Sequence, residues 1–123
     1  MDRTKRKFLA SFDDQIVRNV SDDWKDILYN YVVLGYHPGG FFESLIVNDL
    51  WSAVSRSHPN NEWEQIRGVV KWLHWRAPQK CYGTKKKVEA WMKHKDETRR
   101  KICEDAGILD TVWDLLQDNE KVL

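Results

Sequence analysis

The sequence predicts an all-α fold: one compact domain of five to seven helices packed around a central apolar helix at about residues 41–57. Three observations carry this expectation. Apolar residues recur at spacings of three and four along most of the chain, the period that lines one face of a helix. No stretch alternates polar and apolar residues between turn signals, as a hairpin requires. Residues that start and stop helices stand at the ends of the periodic segments.

Taken in order, Phe8, Leu9, Phe12, Ile16, Val17 and Val20 predict a first helix from about Thr4 to Val20. Ser21 is a good N-cap for a second helix, with Asp22 and Asp23 in the first turn where the helix dipole favours acids. Its apolar stripe is Trp24, Ile27, Leu28, Tyr31, Val32 and Leu34, and Gly35 is a natural stop. After the turn Tyr36–Gly40, the run from Phe41 to Val54 is apolar around almost its whole circumference, with a polar strip at Asn48 and Ser52, so it is expected to be the central helix. The segment His58-Pro59-Asn60-Asn61 ends it and opens a fourth helix. The stripe there is Trp63, Ile66, Val70 and Leu73, flanked by Val69 and Trp72, and Ala77-Pro78 closes it. Thr84 caps a short helix carrying Val88, Trp91 and Met92, and a polar stretch from His94 to Lys101 continues as helix to about Glu104, ended by Gly107. A last helix carries Ile108, Leu109, Val112, Trp113, Leu115 and Leu116.

The 123 residues suit a single domain over 1–123, with no internal repeat, low-complexity tract or linker. The longest apolar runs are far short of the roughly 20 residues that span a bilayer, so no membrane association is expected. The basic start Met1–Lys7 is followed by Asp13 and Asp14 before any signal-peptide core forms, which points to a cytoplasmic protein. Cys81 and Cys103 are far apart and lack metal-ligand spacing, so free thiols in a reducing compartment are expected. The seven tryptophans exceed what one small core readily holds, which should leave one or two at a binding surface.

Charge is segregated behind a formal net charge of +1. From Lys80 to Lys101 nine bases face three acids, a net +6; from Glu104 to Leu123 six acids face one lysine, a net −5. Lys85, Lys86 and Lys87 stand at a helix start, where cations are disfavoured, and with Arg99, Arg100 and Lys101 they form a candidate face for an acidic protein, a nucleic acid or a nucleotide. The alternative is a solvated face neutralised by the acidic last helix. No nucleic-acid recognition motif is present, and the pI near 7.8 is modest for a dedicated DNA-binding domain.

The second candidate is the turn His37-Pro38-Gly39-Gly40, whose glycines could expose backbone N–H groups to a phosphate or carboxylate; the same pair also suits a plain turn. Asp49 is expected to project partly into the core from the central helix, paired with Arg67, Arg76 or His74. An enzyme centred on His37 and Asp49 would need a nucleophile or second acid that the sequence does not identify. The four histidines are not paired at ligand spacings, so neither a metal nor a cofactor is expected.

The Pro-Gly-Gly-Phe entry at residues 38–41, Asn48-Asp49-Leu50, Ala53, Ser57, Asn61, Pro78, Cys81-Tyr82-Gly83 and Lys87-Val88-Glu89-Ala90-Trp91 follow one another in an order that resembles a group of small proteins encoded by tailed bacteriophages and prophages. The resemblance covers residues 29–93, leaving 1–28 and 94–123 as additional helices. It implies a protein made inside an infected bacterium. The resemblance assigns no activity and no functional residue; surplus tryptophan, segregated charge and the missing catalytic machinery point to non-enzymatic binding of a host protein, modulating metabolism or blocking a defence system. The alternative is a nucleic-acid or nucleotide binder using residues 80–101, and homo-oligomerisation is left open by the apolar run at 41–54.

Overall fold

A computed structural model describes residues 3–13, 17, 19–56 and 63–109. Among them the chain is all-α: seven α-helices and a short 3-10 turn, with no strand. The helices are α1 (Arg3–Ala10), α2 (Asp22–Val32), α3 (Gly40–Ile46), α4 (Leu50–Arg56), α5 (Trp63–Trp75), α6 (Lys85–Lys93) and α7 (Asp96–Asp105); the 3-10 turn is Gln79–Cys81.

The core is built on α2. Its last turns, with Leu28, Tyr29, Tyr31, Val32 and Val33 all buried, meet neighbours on several sides. Tyr29 packs edge-on against Phe8 of α1, and Trp24 does the same against Phe42 of α3. The Tyr31 hydroxyl donates to the Cys81 carbonyl at 2.6 Å, and the Trp91 indole N–H of α6 donates to the Val32 carbonyl at 3.0 Å. These bonds give two buried aromatic polar groups their required partners. Phe8 and Phe12 enclose Trp72 of α5, whose indole N–H donates to the Ser11 hydroxyl at 2.9 Å.

Local capping follows ordinary helix chemistry. The Ser21 hydroxyl accepts from the Trp24 N–H and the Thr84 hydroxyl from the Lys87 N–H, as expected of N-caps. Gly35, at φ 76°, sends its N–H to the Tyr31 carbonyl and ends α2 in a left-handed cap. Gly107 ends α7 in the same backbone region, with the Ile108 N–H reaching the Cys103 carbonyl and Ile108 buried.

The structure corrects four expectations. The first helix stops at Ala10 instead of Val20: the next three N–H groups bond three residues back, the Ser11 hydroxyl competes for the Phe8 carbonyl, and Asn19 is left-handed at φ 64°. The proposed central helix at 41–57 is two short helices. Asn48 is left-handed at φ 68°, its N–H and that of Asp49 bond the carbonyls of Leu45 and Ser44, and Asp49 then caps α4. Only Ala53 of α4 is buried, while Leu50, Trp51 and Val54 are exposed.

In α5 the buried face is Ile66, Val69, Trp72 and Leu73, because Trp72 and its aromatic neighbours orient the helix; Trp63 and Val70 point to solvent. Finally, helix does not continue through His94: α6 ends there and α7 begins at Asp96. The expected contribution of Ile16, the 58–61 turn and the last helix beyond Leu109 lies outside the described residues.

Candidate functional site

The candidate basic face is only partly assembled. Arg99 is 3% exposed, and its guanidinium donates to the carbonyls of Val33 (3.1 Å), Leu34 (3.0 Å) and His94 and to the Asp96 carboxylate. It therefore fastens α7 to the end of α2 and is removed from any binding surface. Lys101 pairs with Asp105 one turn along α7 at 3.4 Å, and the Lys87 ammonium reaches the Gln79 carbonyl at 3.4 Å. Lys85, Lys86 and Arg100 remain exposed and have no carboxylate within ion-pair distance among the described residues. Most of the acidic end that could neutralise this face, residues 110–123, lies outside the described residues.

The His37–Gly40 turn is an α3 entry whose polar groups face each other. His37 Nδ1 accepts from the Gly39 N–H at 3.0 Å, which leaves the proton on Nε2, and Nε2 donates to the Glu43 carboxylate. Gly39 lies at φ 88° and its carbonyl accepts the Glu43 N–H at 2.8 Å, starting the helix. Gly40 makes room for Arg56, whose guanidinium donates to the Gly40 carbonyl and the Ser44 hydroxyl, both at 3.1 Å. Arg56 thereby clasps α4 to α3, a function that no motif in the sequence announces.

Asp49 is exposed and is not the buried member of an ion pair with Arg67, Arg76 or His74. Its carboxylate accepts the Ser52 N–H at 3.1 Å. Hydrogen bonding from the Ser52 side chain, then this N–H, with help from the nearby Arg56 charge, holds its pKa below the usual value. A carboxylate in this arrangement sets a helix start.

Among the described residues, most of the exposed large apolar side chains lie on α4 and α5. Trp51 is 87% exposed and Trp63 65%, and Leu50, Val54, Val70 and Trp75 are exposed as well. Between the helices runs a groove of about 450 Å³: Leu50 faces Trp63, Ile66 and Val70, and Glu64, Arg67 and Lys71 edge it. A smaller hollow of about 260 Å³ opens on the far side of Val70, beside Asn48, His74 and Tyr82. Three tryptophans, Trp51, Trp63 and Trp75, are exposed, more than the one or two expected outside the core, whereas Trp72 and Trp91 fill the core. Reading the apolar period alone hid these residues, since it assigns every large apolar side chain to an interior. The interruption at Asn48-Asp49 and the cations Arg67 and Lys71 beside Trp63 and Val70 were the available signals.

Among the described residues no helix is long and apolar enough to cross a membrane, and no three His, Cys, Asp or Glu side chains converge on a common point. No protein-family model, curated protein or solved structure matches the chain.

Proposed function

We propose that this protein is a non-enzymatic binding module that engages another protein through the apolar groove formed by Leu50 of α4 and the exposed side of α5. The observation that carries the reading is a groove in which Leu50 of α4 meets Trp63, Ile66 and Val70 of α5 beside the cations Arg67 and Lys71, with exposed Trp51 next to Leu50 in the chain. Contiguous apolar surface with polar edges marks interaction sites, and tryptophan is among the residues most often energetically dominant there. The resemblance of residues 29–93 to small phage-encoded proteins favours a host bacterial protein as the partner, with host takeover or inhibition of a defence system as the consequence, in the bacterial cytoplasm.

Affinity capture from host lysate with the full chain tests this. One discrete host protein should be retained by the wild type and lost with Trp51→Ala or Trp63→Ala, each truncation weakening binding by about 2 kcal/mol or about 30-fold. Retention indifferent to both substitutions would remove the proposal.

A second reading, nucleic-acid or nucleotide binding, rests on exposed Lys85, Lys86 and Arg100. It requires an affinity that falls steeply with salt and weakens with Lys85→Glu plus Lys86→Glu, because neutralised phosphates release counterions. No mobility shift at low salt would dismiss it.

A further inference from the structure

Resting on the protein-binding reading, we infer that the groove between α4 and α5 takes an acidic amphipathic helix of the partner. Trp63 and Val70 stand seven residues apart on the exposed side of α5, two turns or about 10 Å along the axis. A helix lying along that face meets both with apolar anchors at i, i+3 or i+4, and i+7, the spacing used in helix-in-groove recognition. Leu50 supplies the opposite wall, and the volume of about 450 Å³ accommodates two or three large side chains.

The charge at the edge chooses among amphipathic helices. Arg67 and Lys71 are one turn apart, and among the described residues neither has a carboxylate within ion-pair distance and Glu64 is the one acid lining the groove. Acids on the partner beside its apolar anchors would meet both cations, whereas bases there would be repelled. A single-stranded nucleic acid fits less well, because Trp63 is the one aromatic side chain among the described residues lining the groove and successive bases need a series of such faces.

The test uses the full chain and three labelled probes in a polarisation assay. Two are 16-residue alanine-rich peptides with Leu, Trp and Leu at i, i+4 and i+7, one flanked by Glu and the other by Lys; the third is a 12-nucleotide oligo-dT. The Glu peptide should bind at least tenfold more tightly than the Lys peptide and the oligonucleotide. Trp63→Ala should weaken it at least tenfold, Leu50→Ser should do the same from the other wall, and Arg67→Glu with Lys71→Glu should invert the preference between peptides. Equal binding of the two peptides, no binding of either, or tighter binding of oligo-dT overturns the inference. So does a wild-type dimer that dissociates on Trp63→Ala, since a second copy would then be the occupant. If host-protein capture still depends on Trp51 and Trp63 after such a result, the protein-binding reading survives and only the chemistry assigned to the partner falls.

Discussion

Arg99 directs its donors at the carbonyls of Val33 and Leu34, which lie at the end of α2 where a helix leaves its last acceptors unpaired. Removing the guanidinium strands buried acceptors as well as unfastening α7, so Arg99→Ala should cost about 3 kcal/mol or more in urea unfolding. Lysine recovers little of this, because an ammonium cannot form the same planar fork. Gly35 is part of the same joint: a Cβ there would lie 2.5 Å from Arg99 Cζ, on a backbone at φ 76°. Gly35→Ala is therefore expected to destabilise by about 2 kcal/mol, and the double variant by less than the sum, which a double-mutant cycle would measure. At Asp49 the sign of the pH effect comes from its lowered pKa. The unfolded chain holds its proton more tightly, so the carboxylate stabilises the fold above the unfolded pKa of about 3.9 and loses that contribution as pH falls through the lower folded value. Asp49→Ala should flatten the acid limb of the stability profile, whereas Asp49→Ser should keep the cap and remove only the pH dependence.

Elements whose ends are set by local chemistry were legible in the sequence: Ser21 opens α2, Thr84 opens α6, and Gly35 and Gly107 close α2 and α7. Each signal acts within a few residues and needs no knowledge of neighbours. The break between α3 and α4 was less visible because the apolar period runs across it, and a period carries no information about a reversal. The chemistry of the break is nevertheless written in Asn48, which tolerates the left-handed region, and in Asp49, which caps α4. Asn48→Gly should be neutral or stabilising, while Asn48→Val should lower the unfolding midpoint through a cost of about 1–2 kcal/mol. The orientation of α5 was illegible for another reason. Trp63, Val70 and Trp72 are similarly apolar in composition, and only the rings of Phe8 and Phe12 and the hydroxyl of Ser11 decide that Trp72 goes inward. Half of the candidate site depends on that choice, since turning Trp72 inward turns Trp63 and Val70 out.

At the scale of the whole molecule, α2 ties α1, α3, α6, α7 and the 3-10 turn together, so opening any one neighbour should be coupled to the rest. The two thiols sample this coupling from different places. Cys81 ends the 3-10 turn and Cys103 belongs to α7, and both are fully buried. Burial pushes both thiols up, Cys103 to about 12. Each is therefore neutral and shielded in the folded chain and gains a reactive thiolate only on opening. If the bundle opens as one unit, a thiol reagent at pH 8 should modify both cysteines at a single slow rate that tracks global unfolding. A fast phase confined to Cys103 would show instead that α7 detaches separately, as Arg99→Ala should provoke. The same burial sets the alkaline behaviour. Above the unfolded thiol pKa of about 8.5 the unfolded chain releases protons that the folded chain retains, so stability must fall as pH rises, by up to about 1.4 kcal/mol per pH unit for each thiol. Replacing both cysteines with alanine should reduce that slope while lowering stability near neutrality through the small cavities left behind.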